Sequence, residues 1–524
     1  MGGMKSFVLS LLLAFTSGGL YALTYPATWM PGWFPLLFIS LPLFLWLIEE
    51  AKSTKKTLLI ILFYNIGLNA VGFYWVPHTL REFGQLPWII SILLGLLFSF
   101  ILQPHWWLYA LWKKFRPDFN WRSEKGVLLT ALIMTLMERY FPQQFPTYVG
   151  SPWLHMAPYL GTVPSLGVVV LSFMTFWISQ EIATQFVLKK NRYQVFVVFA
   201  IFVGINAALP LKTLDHGQKL NVRIVQANVG NFLKVASESG DTNSFKSIND
   251  DYYRLSSMAK MGFTPDLIVW PETAYSSSFY SSSSQIPQIF IDIMQTTGAE
   301  ILTGGYVQDA SKSFGEMIES IFNASVLMSE RSIKSSYHKN ILIPFGETLP
   351  FGPLNRQIVS IVPAVSLFAR GNGTPVMQTK DGSRFVTPIC YEILETNYMR
   401  SLLNQHGNNR FIVNHTNDSW YGDTAEPHQH LFLSKWRAIE FQLPIIRSTN
   451  TGISSVIFPD GSESKRLGVG EKNSLDVAVP LGTGRPTFYQ TWGVWPLMIL
   501  VAFLLGVTAL REKRAEPSSK HLKS

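Results

Sequence analysis

One cysteine, Cys390, stands in a chain of 524 residues, so no intrachain disulfide can brace this fold. Charge is missing over long stretches as well. Ser6 to Thr24, Trp33 to Ile48, Thr57 to Val76, Trp88 to Trp112, Val163 to Phe176, Gln194 to Pro210 and Trp492 to Leu510 carry no Asp, Glu, Lys or Arg. Apolar residues, 48% of the chain, are too unevenly spread for two or three ordinary soluble domains. With the shorter run from Gly126 to Tyr140, these blocks predict about eight transmembrane helices by length and hydropathy. A cleaved secretory leader fits the first block poorly, because Ala22-Leu23-Thr24 is a weak small-residue cleavage site. Internal repeats are absent, and the one low-complexity patch, Ser276 to Ser284, is expected to be a flexible loop.

What charge there is follows a pattern. The net charge of +9 raises nucleic acid as a partner, but the basic residues alternate along the chain as membrane insertion requires. Lys52, Lys55 and Lys56 fall between the second and third blocks, and Lys113, Lys114, Arg116, Arg122 and Lys125 between the fourth and fifth. Lys189, Lys190 and Arg192 follow the sixth, and Arg511, Lys513 and Arg514 follow the last. The alternate connections are nearly uncharged, which places both termini in the cytoplasm and the segment from Lys219 to Gln490 outside it. The expected plan is helices over residues 1–214, a catalytic domain over 219–490, a last helix over 491–510 and a basic tail over 511–524. Glu138 and Arg139 are expected to pair with each other near the outer membrane face.

A lone thiol is most simply a small buried hydrophobe. Its setting suggests more. Arg384 to Ile389 reads as a strand broken by Pro388, and Cys390-Tyr391-Glu392 follows at its end, where α/β folds place reactive groups. A thiol attacks as thiolate and needs a base or a cation close by. Glu272 closes the apolar run Asp266 to Trp270 after Pro271, and is a candidate general base. Lys339 opens an apolar strand ending in Pro344-Phe345-Gly346-Glu347 and is a candidate cation. Taken singly, these are ordinary features: a first-turn acid and an edge-strand lysine. His428 and His430 stand two apart without a carboxylate-rich or cysteine-rich motif and read as structural, so no metal and no cofactor is expected.

Glu272 in WPE, Lys339 before PFGE and Cys390 in ICYE occur in the order that marks the nitrilase, or carbon–nitrogen hydrolase, superfamily. The resemblance begins at Val222 to Val229 (VRIVQANV) and continues through Asn417 to Gly422 (NDSWYG) and Arg447 to Gly452 (RSTNTG). With helices on both sides of this domain, the whole chain resembles the apolipoprotein N-acyltransferases, a membrane-bound branch of that superfamily.

The resemblance implies a multi-pass α-helical membrane bundle carrying an extracytoplasmic αββα sandwich. It implies Glu272 as base, Lys339 as cation and Cys390 as nucleophile. Glu347 is implied as a second acid, and Tyr391, Glu392 and Trp420 as residues lining the site. The implied partners are a phospholipid acyl donor, expected to be phosphatidylethanolamine, and a diacylated apolipoprotein acceptor. The implied setting is a monomer in the bacterial inner membrane with its catalytic domain in the periplasm. One departure stands out. Many members carry tryptophan shortly after VQxN, where this chain has Asn231-Phe232-Leu233-Lys234-Val235. Leu349 to Gly373, rich in apolar residues, glycine and proline, is a candidate arm over an acyl entrance. A membrane-anchored amidase using the same three residues is the nearest alternative. A transporter or ligand-binding factor is the other, and it needs more membrane-embedded charge than this chain has.

Overall fold

The computed structural model describes residues 2–515 except 83, 85, 117–118, 144, 190–192, 212–216, 282–284, 310–320, 345, 350–351, 356 and 358–366. The chain divides into two compact units, one of residues 1–74, 93–210 and 491–524, the other of residues 75–92 and 211–490.

The first unit is helical. Helix Gly2–Ala22 lies so close to Thr54–Gly72 that a Cβ on Gly18 would fall 1.9 Å from the Tyr64 carbonyl oxygen. A Cβ on Gly67 would fall 2.0 Å from that of Phe15, so only glycine permits this approach of two backbones. Ser17 and Ser40 exchange hydroxyl-to-carbonyl hydrogen bonds of 2.7 Å between neighbouring helices. Glu49, at the end of helix Leu37–Glu50, receives Lys113 at 2.8 Å and Arg122 at 3.3 Å, so its buried charge is paired. Glu138 and Arg139 are both buried, and the Glu138 carboxylate accepts the Val149 amide.

The expectation of one span from Trp88 to Trp112 is corrected. Two helices occupy it, Trp88–Phe98 and Pro104–Phe115, with turns over residues 99–103 between them, and Pro104 takes the first position of the second helix, where its missing amide costs no hydrogen bond. Among the described residues no single helix is long and apolar enough to cross a membrane. The pair Thr54–Gly72 and Trp75–Glu82 passes by length and composition together.

The second unit is built on twelve strands among the described residues: β1 (Lys219–Gln226), β2 (Leu267–Val269), β3 (Tyr275–Tyr280), β4 (Glu300–Gln308), β5 (Ile321–Ser329), β6 (Ser332–His338), β7 (Met377–Gln378), β8 (Arg384–Val386), β9 (Asn409–Thr416), β10 (Ile445–Thr449), β11 (Ser455–Ile457) and β12 (Asn473–Pro480). One sheet runs β12-β1-β2-β4-β5-β6 with β3 also paired to β4, and the other runs β11-β10-β9-β8-β7. β1, β2 and β4 are parallel, as are β8, β9 and β10, and β1 and β9 are buried along nearly their whole length, as suits sheets covered on both faces.

Helices Thr242–Ser257 and Gln288–Thr297 contribute Ile248, Tyr252, Leu255, Phe290 and Ile293 to a core with Val225, Ile268, Trp270, Ile301 and Val326 of the first sheet. The faces between the sheets are joined by polar contacts. His415 on β9 reaches the Trp270 carbonyl at 2.6 Å and the Ser325 hydroxyl at 2.9 Å, and Thr449 on β10 donates to Gln226 on β1 at 3.0 Å.

Two local expectations also change. Residues 276–280 of the serine-rich patch belong to β3 instead of a loop, held by pairing with β4 that composition does not reveal, and residues 282–284 of the patch lie outside the described residues. Ile341 to Ile343 forms no strand: β6 ends at His338, and the chain then turns, with the Gly346 and Glu347 amides donating to the Ile343 carbonyl.

Candidate active site

Three chain turns at strand ends bring the predicted residues together. Glu272 follows β2, Lys339 follows β6 and Cys390 follows β8. Lys339 Nζ donates to Glu272 Oε1 at 3.1 Å and to Glu347 Oε1 at 2.7 Å. The amide of Asn323 repeats this bridge, reaching the same two oxygens at 2.8 and 3.0 Å. One ammonium and one amide thus join two carboxylates, with Lys339 only 1% exposed.

Burial alone would raise the Glu272 carboxyl, but Lys339, Asn323 and Lys234 outweigh it and hold the group below the usual carboxylate range. Burial likewise opposes the charge on Lys339, yet the Glu272 and Glu347 carboxylates raise it well above the ordinary lysine value. Lys339 therefore stays charged, and Glu272 stays ionised.

Cys390 is buried, opens the 3-10 turn Cys390–Leu394 and has φ of +55°, a conformation a β-carbon disfavours. The strain is held from below. Asn414 donates to the carbonyls of Pro388 and Cys390 at 3.0 and 3.1 Å, and is itself fixed by Arg447 at 2.8 Å. Arg447 also pairs with Asp418 at 3.1 Å. The Thr416 hydroxyl lies 3.3 Å from the sulfur and 3.1 Å from Asp418. Burial first, then the Glu272 charge, raise the thiol well above its ordinary value against the opposing pull of Lys339. The resting sulfur is therefore a neutral thiol beside an ionised carboxylate.

Glu392 is a clamp between loops. Its buried carboxylate accepts the amides of Asn340 at 2.6 Å, Ile341 at 2.9 Å and Ile389 at 2.8 Å, together with the Tyr337 hydroxyl at 2.7 Å. It thereby ties the segment after Lys339 to the turn that carries Cys390. Tyr391 donates to Glu426 and stacks on His430 at 4.4 Å between ring centroids. Trp420 is half-buried at the end of the turn Asp418–Trp420. Asp418, Glu426 and His430 offer ligand atoms within 4.8 Å of one another, the grouping a metal ion needs; Arg447 already neutralises Asp418, and Tyr391 already holds Glu426. His428 is not in that group.

Residues 222–489 match the family model of carbon–nitrogen hydrolases, and residues 17–180 match that of the apolipoprotein N-acyltransferase N-terminal domain. An apolipoprotein N-acyltransferase of Bdellovibrio bacteriovorus is 31% identical over 501 residues, covering 90% of this chain and 89% of that protein. The chain belongs to the apolipoprotein N-acyltransferase family. A member from Vibrio cholerae is 26% identical over 495 residues, with 92% and 94% covered. Among solved structures, an amidase from Nesterenkonia sp. shares 17% identity over 54% of this chain and 97% of that one, with a TM-score of 0.35.

In the segment Asn231 to Val235, Val235 is 51% exposed, while the preceding Lys234 turns inward and donates to the Thr273 hydroxyl beside Glu272. Lys234, Asn323, Thr416 and Asp418 escaped the sequence reading. Asp418 lies inside the quoted NDSWYG segment and Thr416 stands immediately before it, which was the one available signal; Lys234 and Asn323 gave none. Of the candidate arm, Pro350, Phe351, Ile358, Val359, Ile361, Val362 and Val365 lie outside the described residues. Phe368 is described: its amide donates to the Glu347 carbonyl at 3.0 Å, and its ring stacks on Tyr306.

Proposed function

We propose that the protein transfers a fatty acyl group from a phospholipid, phosphatidylethanolamine being the expected donor, to the terminal amine of a diacylglyceryl-cysteine on apolipoproteins, through a thioester on Cys390. The observation that carries this is the ammonium of Lys339 held between Glu272 and Glu347 beside a strained, neutral thiol.

A neutral thiol and an ionised base require coupled transfer. As the sulfur bonds to the ester carbonyl carbon, its proton passes to Glu272, which has a lone pair free for it while Lys339 keeps its own proton. The tetrahedral oxyanion is held by Lys339 and by a main-chain amide near Tyr391, each donor worth about 3 kcal/mol. Collapse breaks the ester C–O bond, and the proton on Glu272 leaves with the lysophospholipid. In the second half the amine nitrogen attacks the thioester and Glu272 accepts its proton. The C–S bond then breaks, the proton returns to sulfur, and the amide departs. Glu347 orients the lysine, and Tyr391 and Trp420 border the acyl chain.

Both substrates are lipids, so the domain is carried by a multi-pass helical bundle of about eight spans. In support, the uncharged blocks alternate with basic connections, and Leu12, Leu97, Ile201 and Phe503 are each more than half exposed on the helical unit, an outer surface suited to acyl chains and not to water. The assignment is a monomer in the bacterial inner membrane, catalytic domain in the periplasm and both termini in the cytoplasm.

The test uses the purified full chain with phosphatidylethanolamine and a diacylated peptide. Wild type forms the N-acyl product, and Cys390→Ser does not. Full transfer by Cys390→Ser would remove the covalent mechanism.

A further inference from the structure

The hydrolase-like unit includes a piece from far upstream in sequence. Residues 75–92 group with residues 211–490, although they lie outside the stretch matched by the carbon–nitrogen hydrolase model and inside residues 17–180, the part matched by the N-acyltransferase model. Helix Trp75–Glu82 is seated on the turn that carries Trp420 and Tyr421. The Trp75 indole is 2% exposed and meets the Tyr421 ring edge-on, with centroids 5.3 Å apart. One turn further along the helix, His78 covers Gly422 so closely that a Cβ there would lie 2.9 Å from its Nε2.

Tyr421 in turn meets the Tyr391 ring edge-on at 6.3 Å, and Tyr391 adjoins the nucleophile in sequence. A row of rings, Trp75, Tyr421, Tyr391 and His430, therefore runs from the upstream helix to the residue beside Cys390.

A thioester in this site faces two nucleophiles. Water attack adds oxygen to the carbonyl carbon, breaks the C–S bond, returns a proton to sulfur and releases a free fatty acid. Amine attack gives the amide. Both need the same base, so the triad cannot choose between them, and the choice rests on which acceptor reaches the carbonyl. A wall of close-packed rings with one member from outside the hydrolase stretch is suited to that choice.

We infer that Trp75 is a specificity-determining residue, closing the Tyr421–Tyr391 side of the acyl-thioester against water so that the amine resolves it. The inference rests on the function proposed above and concerns the fate of the thioester, not its formation.

The experiment loads full-length wild type, Trp75→Phe, Trp75→Leu and Trp75→Ala with phosphatidylethanolamine. Excess donor is removed, and thioester decay in buffer and in diacylated peptide is followed by intact mass. Loss of one apolar group from a packed site shifts discrimination by roughly 10–200-fold, so hydrolysis should accelerate at least about tenfold in Trp75→Ala, less in Trp75→Leu and little in Trp75→Phe. If Trp75→Ala does not fold, the leucine and phenylalanine variants give the same ordering. Thioesters as long-lived in the alanine or leucine variant as in wild type overturn the inference and leave the proposed function standing. Failure of wild type to form any thioester overturns that function instead.

Discussion

Gly304 on β4 decides where Glu272 sits. Its Cα passes so near the turn after β2 that an added Cβ would lie 2.4 Å from the Pro271 oxygen and 2.6 Å from both Glu272 Cα and Thr273 N. These are backbone atoms, so no side chain can swing aside. Restoring an ordinary 3.4 Å contact moves Glu272 Cα by about 0.8 Å from its 2.6 Å position. Displacing a reacting group by about 1 Å costs on the order of 100-fold in rate, and overpacking of this kind costs about 1–3 kcal/mol of stability. Gly304→Ala should therefore fold, with a lowered melting temperature, and lose roughly 100-fold in kcat/KM for acyl transfer. Gly305→Ala is the control. Its Cβ would meet a ring carbon of the buried Phe279 at 2.9 Å and not the backbone of Glu272, so it should lower stability through overpacking while activity stays within about threefold of wild type. Parallel steady-state assays and thermal unfolding of the three proteins check this. A folded Gly304→Ala enzyme with near wild-type kcat/KM would refute the placement of Glu272 as base.

Other outcomes follow from the same geometry. Because burial and the Glu272 charge keep the Cys390 thiol above its ordinary value, alkylation by iodoacetamide should be slow at pH 7 and rise with pH beyond about 8.5; Glu272→Gln removes a neighbouring negative charge and should move that rise to lower pH. A rise moved to higher pH in the variant contradicts this sign. Glu392→Gln puts an amide NH₂ where the carboxylate now accepts main-chain amides, so about 1–3 kcal/mol of unfolding free energy per orphaned donor should be lost along with activity. A variant as stable as wild type removes the clamp. Phe368→Asp should impair use of phospholipid in membranes more than reaction with a short water-soluble ester, since Phe368 packs beside the Glu347 segment; equal losses count against an acyl-facing role.

Glu272 and Cys390 were legible because each sits where an apolar run stops at a turn, and Lys339 because it stands at the head of one; local pattern reports such points well. Asn323 was not, since nothing around a lone asparagine on β5 announces that it bridges Glu272 and Glu347, residues 51 and 24 positions away. The same holds for Lys234, whose partner Thr273 is 39 positions distant. Ile341 to Ile343 has strand composition and still turns, because the Glu347 carboxylate captures the Ile343 amide. The serines after Tyr275 became a strand through pairing with β4, a tertiary effect that overrides composition. Of residues 75–92, Trp75-Val76 and Trp88 to Ile92 read as ends of membrane spans and the rest as the connection between them, and only contacts at distant positions such as Tyr421 reveal their place in the second unit.

The proposed mechanism places the acyl group on Cys390 between donor and acceptor. Full-length protein incubated with phosphatidylethanolamine, digested and mapped by tandem mass spectrometry, should carry one thioester-linked fatty acyl group on the peptide containing Cys390, and a diacylated peptide should remove it with formation of an equal amount of amide. Amide formed with no acyl group ever detected on Cys390, or an acyl group found on another residue and passed on from there, would contradict it.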